Sequence, residues 1–469
     1  MKIQLKFIGK LSSDHTCSYS CASLVPGLSL GAWAIAGSAC RGVWVFLLIW
    51  VTALGCTSSK KSVAVIVGGD TAGWITPCGC AANQSGGLAR RATVLQNLAS
   101  FYDLVFLDAG GSATGINEYH RLKLASILRG LKQMGLAAHN IGGTESEFSP
   151  DELRELARET EITWLSSNLS DATGEPIGSS SVVLKRAGLR VAIVGVIEPS
   201  RVRNARWKVV DPVQSILSEM ASLDADVRIV LAYCDESGLR KLAESLPEVD
   251  YIIGGPTGQS FGPTKVGPVT LLSATNKGKF LAQVSFAGKG KSVRHEIPKI
   301  VEVKSDHAED TVQKDNLVQY YQSLRQRDFT VKQAGLADHL SVERRGYEIA
   351  GSNSCQACHK LDDAVWHSSK HAKAWEPLLA RQAEFDPHCQ QCHSTGYGYS
   401  GGFINVAQSK HRTGVGCENC HGPSSSHVAD PRIKTPVIAK EQCIRCHDHE
   451  NSPEFKYDPY WAKIAHPKE

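Results

Sequence analysis

The stretch Asn353-Ser354-Cys355-Gln356-Ala357-Cys358-His359 contains a Cys-x-x-Cys-His unit that recurs three more times before the end of the chain. The other copies are Cys389, Cys392, His393; Cys417, Cys420, His421; and Cys443, Cys446, His447. Every cysteine beyond residue 350 belongs to one of these units. The spacing suits covalent haem c: two thiols meet the two vinyl groups of one porphyrin edge, and the adjacent histidine reaches the iron. Paired Cys-x-x-Cys units also bind zinc, but zinc does not require a histidine directly after every second cysteine. The expectation is four covalently bound haem c groups, with Cys355, Cys358, Cys389, Cys392, Cys417, Cys420, Cys443 and Cys446 as thioethers. His359, His393, His421 and His447 are then the proximal ligands.

Axial ligands set a haem's potential and decide whether its iron is closed for electron transfer or open to substrate. Methionine is excluded as a sixth ligand from this region, because Met1, Met134 and Met220 all lie upstream. Histidine is abundant: His367, His371, His388, His411, His427, His449 and His466 stand outside the four motifs.

From about Ser352 to His466 the sequence resembles the tetrahaem cytochrome c554 family. The resemblance rests on Trp366 to Ala374 around His371, on Gly414-Val415-Gly416-Cys417-Glu418 with Cys420-His421-Gly422-Pro423 and His427, and on Trp461 to His466. It implies His371, His427 and His466 as distal ligands and an open second haem on His393. His388 and His411 are the residues that would overturn that assignment by capping it. Which distal histidine serves which iron stays open.

The 469 residues leave room for two or three domains, and 42% hydrophobic residues suffice for an ordinary core. A net charge of +4 without long basic runs argues for no nucleic-acid partner. Val43 to Leu54 is an apolar stretch after Arg41 and before Gly55-Cys56, and it reads as a lipoprotein signal, too short to span a membrane. Cys56 is then the lipidated first residue, with Thr57 to Lys61 as a polar tether. An uncleaved signal anchor or a plain cleaved signal are the alternatives, and all three export the protein. The expected address is the periplasm, membrane-associated through a lipid anchor, with periplasmic or membrane redox partners. Cys17, Cys21 and Cys40 precede the cleavage site and do not bear on the mature fold.

Between Ser62 and Val303 apolar runs alternate with amphipathic stretches and glycine-rich turns, which predicts an α/β domain. Strands are expected at 63–67, 104–107, 163–166, 191–196, 227–232 and 251–253, and helices at 88–98, 121–134, 150–158, 212–223 and 239–246. Ligands of such folds sit beyond the carboxyl ends of the strands. The residues there resemble the metallophosphoesterase domain of periplasmic 5′-nucleotidases: Asp70, then Gly86 to Arg90, Leu107 to Gly110, Gly142 to Glu145, Asn168, and Ile252 to Gly255. The departures weigh more. Ala72 stands where the first motif has histidine, Gly111 where the second has its bridging aspartate, and Gly143 and Thr144 where the third has asparagine and histidine. Pro256 and Gly258 replace the closing histidines. Asp70 alone cannot hold two cations, so hydrolysis is not expected.

Pro77-Cys78-Gly79-Cys80 follows the first strand, and Cys234 closes a later one. A Cys-x-Cys loop before the Gly-Gly-Leu-Ala-Arg segment resembles a subgroup of phosphoesterase-like domains. The three thiols are a candidate redox or metal site, holding an extra metal at Cys78 and Cys80, with a structural disulfide as the alternative. Residues 306–326 have helical spacing and read as a connecting helix, and 329–350 show no clear period. The organisation expected is a leader and tether over 1–60, a layered phosphoesterase-like α/β domain over 61–305 and a helical linker over 306–350. A mainly α, haem-organised multihaem cytochrome c domain follows over 351–469. Electron transfer is the leading reading. Oxidoreduction at an open haem or at the Cys78 and Cys80 thiols, and metal-dependent phosphohydrolysis, are the alternatives.

Overall fold

The computed structural model describes residues 62–77, 84–337, 348–435 and 439–466. Two sheets lie face to face between layers of helices. In the first, the strands Val63–Gly68, Asp103–Asp108, Leu136–Asn140 and Trp164–Leu165 run parallel, and Phe280–Ala287 pairs antiparallel beside Val63–Gly68. In the second, Leu189–Ile197, Val227–Tyr233, Tyr251–Gly255 and Val269–Ser273 are parallel, with Ser181–Arg186 and Phe261–Val266 antiparallel at the edges.

Alternation along the first strand explains the layering. Val63, Val65 and Val67 face the inter-sheet core with Val191, Ile193, Ile229, Leu231 and Val284. Ala64 and Ile66 face the opposite way, into a core shared with α1 (Leu88–Phe101), α2 (Glu118–Gln133) and α3 (Pro150–Thr160). A strand buried on both faces must be apolar throughout, as this one is. The outer face of the second sheet is closed by α4 (Pro212–Ser222) and α5 (Glu236–Ser245).

The five helices expected from periodicity form within a few residues of their expected bounds. The antiparallel strands at 181–186, 261–266 and 280–287 were not expected. The edge strands are half-polar and solvated, so they carry no continuous apolar run. The expected connecting helix, α6 (Thr311–Arg327), is a part of the outer helical layer. Tyr320 and Leu324 enter the same core as α2, and Gln313 and Asn316 donate to the carbonyls of Gly130 and Ser126.

The C-terminal segment is built differently. Its helices run four to nine residues, from Ser352–Cys355 to Tyr457–Trp461. Among the described residues, its own cluster of buried apolar side chains is Trp375, Leu378, Tyr397 and Phe403, joined by Val331. So small a core does not offset the entropy of ordering a hundred-residue chain, so a cofactor must supply what is missing. Among the described residues, no helix is long and apolar enough to cross a membrane. The apolar stretch at Val43 to Leu54 and Cys56 lie outside the described residues.

Phe106 sits 1% exposed between the first sheet and its helices. Phe106→Ala is expected to destabilise the α/β domain by about 3–5 kcal/mol, measured by chemical denaturation followed at far-UV wavelengths.

Candidate functional site: paired imidazoles and a filled metal site

The four Cys-x-x-Cys-His units lie in or beside short helices. Cys355 closes Ser352–Cys355, the second unit lies within Pro387–His393, the third forms Cys417–His421, and the fourth begins in Ala439–Ile444. Three of the four motif histidines face a second histidine from a distant part of the chain. The ring centroids of His359 and His427 are 6.2 Å apart, those of His371 and His447 6.2 Å, and those of His421 and His466 5.8 Å. Two metal–imidazole bonds of about 2 Å each, with the two ring half-widths, put ligand centroids roughly 6 Å apart across one metal. The residues therefore fit iron held between two imidazoles.

The outer ring nitrogens support the same fit. His427 Nδ1 lies 2.8 Å from the Ile433 carbonyl and His447 Nδ1 3.2 Å from the Ser452 hydroxyl. His359 and His466 each present Nδ1 to a different oxygen of Asp362, at 3.3 and 3.2 Å. His393 Nδ1 meets the Ala374 carbonyl. Tying Nδ1 to an acceptor fixes the tautomer and leaves Nε2 as the ligand atom. Burial, and then the facing imidazole, hold His371 and His421 below the ordinary histidine range, so both are neutral at pH 7, as a ligand must be.

The thiols place the motifs relative to one another. Cys355 is hydrogen-bonded to Cys417, and Cys392 to Cys446. The Cys355 bond brings the Cys417 thiol down to about 7, and burial pushes Cys420, beside Cys443 and Cys446, up to about 11. The first motif thus adjoins the third, the third the fourth, and the fourth the second. His367, His411 and His449 are exposed on the surface. The His388 ring meets Trp74 of the α/β domain edge-on at 5.7 Å, and burial lowers it to about 4.

The carboxyl edge of the sheets is the other candidate. A small cleft there is lined by Gly68, Gly69, Asp70, Gly110, Gly254 and Thr275 among others. Among the described residues, no group of three or more His, Cys, Asp or Glu could hold a metal ion. Gly111, one of the positions that depart from the phosphoesterase pattern, and its neighbour Gly142 are closed to side chains, whereas Gly258 is open. A Cβ on Gly111, at φ 83°, would lie 2.9 Å from the Tyr233 ring, and one on Gly142 would lie 2.6 Å from the Glu145 carboxylate. Glu145 itself, fully buried, accepts from the backbone N–H groups of Gly111, Ser112 and Ala113 at 3.2, 2.5 and 3.1 Å. Its charge is consumed within the fold. Asn168 clasps Ile197 of the second sheet through both its amide groups, and Thr257, between Pro256 and Gly258, bonds Ser273 and Thr275. A dinuclear metal centre does not fit these residues.

Glu145 was not singled out from sequence. The signal that marks it is a glutamate following a glycine pair just beyond a strand end. Cys234 lies 2% exposed in the core beneath α5, and burial pushes its thiol up. Cys78 and Cys80 lie outside the described residues.

Residues 354–422 match the family model described as cytochrome c554 and c-prime. The first three motifs fall within the match and the fourth lies beyond it. Cytochrome c-554 of Nitrosomonas europaea is 33% identical, over 24% of this chain and 66% of that protein. The α/β domain is similar to the 5′-nucleotidase precursor of Thermus thermophilus, with a TM-score of 0.50 and 20% identity over 58% of this chain and 60% of that one. The calcineurin-like phosphoesterase YfkN of Bacillus subtilis gives a TM-score of 0.49 at 16% identity, over 56% of this chain and 98% of that one. This chain spans less than two thirds of the length of cytochrome c-554 and of the nucleotidase. It joins a phosphoesterase-like α/β fold to a helical segment of the cytochrome c554 type, which implies covalently bound haem c.

Asp70 ends the first strand with its carboxylate accepting from Asn276 N–H at 3.2 Å, and burial pushes it up to about 6. A carboxyl raised in the folded state favours folding most below its unfolded value near 4, and that contribution is lost as pH rises through about 6. Asp70→Asn is therefore expected to gain roughly 1–3 kcal/mol above pH 7 and nothing at pH 4, measured by urea unfolding at both values.

Proposed function

We propose that this chain is an exported, membrane-associated tetrahaem c-type cytochrome that transfers electrons, fused to a non-hydrolytic 5′-nucleotidase-like domain. The observation that carries the reading is the facing of His359 with His427, His447 with His371, and His421 with His466 at 5.8–6.2 Å. Two imidazoles on one iron close it to substrate and leave outer-sphere electron transfer as its chemistry. Cys355, Cys358, Cys389, Cys392, Cys417, Cys420, Cys443 and Cys446 are the thioether residues, with His359, His393, His421 and His447 proximal and His371, His427 and His466 distal.

The thiol neighbours support a relay running from the first haem to the third, the fourth and the second. The second site, against the α/β domain, is then one terminus. Its partners are periplasmic or membrane redox proteins. Haem attachment outside the cytoplasmic membrane and the signal-like stretch before Cys56 support export.

One observation favours a second reading, oxidoreduction of a small nitrogen or oxygen species at the haem on His393. His388, next to that motif in sequence, is committed to Trp74, and His411 is exposed. Phosphohydrolysis is disfavoured by the filling of the cleft edge with Glu145 and Tyr233.

The haem-matured protein is expected to give four haems per chain by pyridine haemochrome assay and intact mass, and no nucleotide turnover with added manganese. Two bound zinc ions in place of haem, or metal-dependent turnover, would contradict the reading.

A further inference from the structure

The segment just before the second haem motif is seated in the α/β domain by three successive side chains. Glu384 pairs with Arg325 of α6 at 2.6 Å. Phe385 packs against the core shared by α2 and α6, with the Arg325 guanidinium 5.0 Å over its ring. Asp386 accepts from the hydroxyls of Tyr119 on α2 at 2.8 Å and Tyr320 on α6 at 3.2 Å.

Asp386 is also part of the haem-bearing helix. It is the N-cap of Pro387–His393, its carboxylate accepts from His388 N–H at 3.0 Å, and its carbonyl accepts from Cys389 N–H at 2.9 Å. The carboxylate is 6% exposed, and both phenols that bond it are 0–1% exposed. Burial alone would raise this carboxyl; the Lys123 ammonium, with the Tyr119 and His388 N–H bonds, holds it below the usual range, so it is ionised at neutral pH. Lys123 on α2, itself buried, lies 4.9 Å over the Tyr119 ring and is its countercharge.

We propose that the phosphoesterase-like domain serves as the mount of the second haem, with Tyr119 and Tyr320 fixing a buried Asp386 charge that lowers that haem's reduction potential. The inference rests on the cytochrome reading. The physical reason is direct. Oxidised iron carries one more positive charge than reduced iron, and a fixed negative charge one helical turn from Cys389 stabilises the oxidised form. Burial makes the effect of that charge larger than at a surface, and the Lys123 ammonium across the Tyr119 ring opposes it. Asp386, Tyr119 and Tyr320 are positioning residues and touch no substrate. The domain has then exchanged hydrolysis for tuning the terminus of the relay.

The test uses the full-length, haem-matured protein and follows each haem midpoint by spectroelectrochemical titration. In Asp386→Asn one midpoint is expected to move to higher potential while the other three stay. The double variant Tyr119→Phe, Tyr320→Phe keeps the carboxylate but removes its donors, and the same midpoint is expected to move in the same direction by less. Wild-type midpoints in both variants, or an equal shift of all four haems, would overturn the proposal. Should Asp386→Asn lose attachment at Cys389 and Cys392, the double variant decides alone. Haem counts on the same samples separate the two levels of failure. A wild type without four haems sinks the cytochrome reading, and four haems with unmoved midpoints sink only the mount.

Discussion

Facing imidazoles are the constraint on which the C-terminal segment depends. Its helices are short and its own apolar cluster holds only a few residues, so neither propensity nor hydrophobic burial accounts for its shape. Distant parts of the chain meet where His427, His371 and His466 lie opposite His359, His447 and His421. Each pair sets one loop closure, and the Nδ1 contacts to Asp362, Ile433 and Ser452 hold the rings at the required angle. On the proposed reading, the haem implied by the motifs completes this core.

The α/β domain follows an opposite logic. Its fold is phosphoesterase-like, while Ala72, Gly111, Gly143, Thr144, Pro256 and Gly258 stand where that pattern has metal-holding groups, and Glu145 is bonded within the fold. A buried carboxylate is tolerable only when it is fully bonded, and the three N–H groups of Gly111 to Ala113 provide that. Its polar effort is directed instead at the boundary with the haem segment, where Tyr119, Tyr320, Arg325 and Trp74 engage Asp386, Glu384 and His388.

Much of this was legible in the sequence, and the division between what was and was not has a physical basis. Cys-x-x-Cys-His is a local constraint of one porphyrin edge, so all four units can be read without a fold. The strand and helix runs of the α/β domain are equally local, as at Val63–Gly68 and Leu88–Phe101. Ligand pairing is a long-range property: nothing near His427 in the chain points to His359. Edge strands such as Phe261–Val266 lack a continuous apolar pattern and were missed. Glu145 and Asp386 look like ordinary surface acids in the sequence, and only their partners from other elements show them to be buried and bonded. Asp386-Pro387 does carry the signature of a helix start, which is a legible part of its role.

Electron paramagnetic resonance of the fully oxidised, haem-matured protein tests the central claim most directly, because spin state reports whether each iron has two strong axial ligands. The account predicts low-spin ferric signals from three haems, one of them lost on replacing His427 alone. A spectrum dominated by high-spin iron, or low-spin signals indifferent to the loss of His371, His427 and His466, would contradict it.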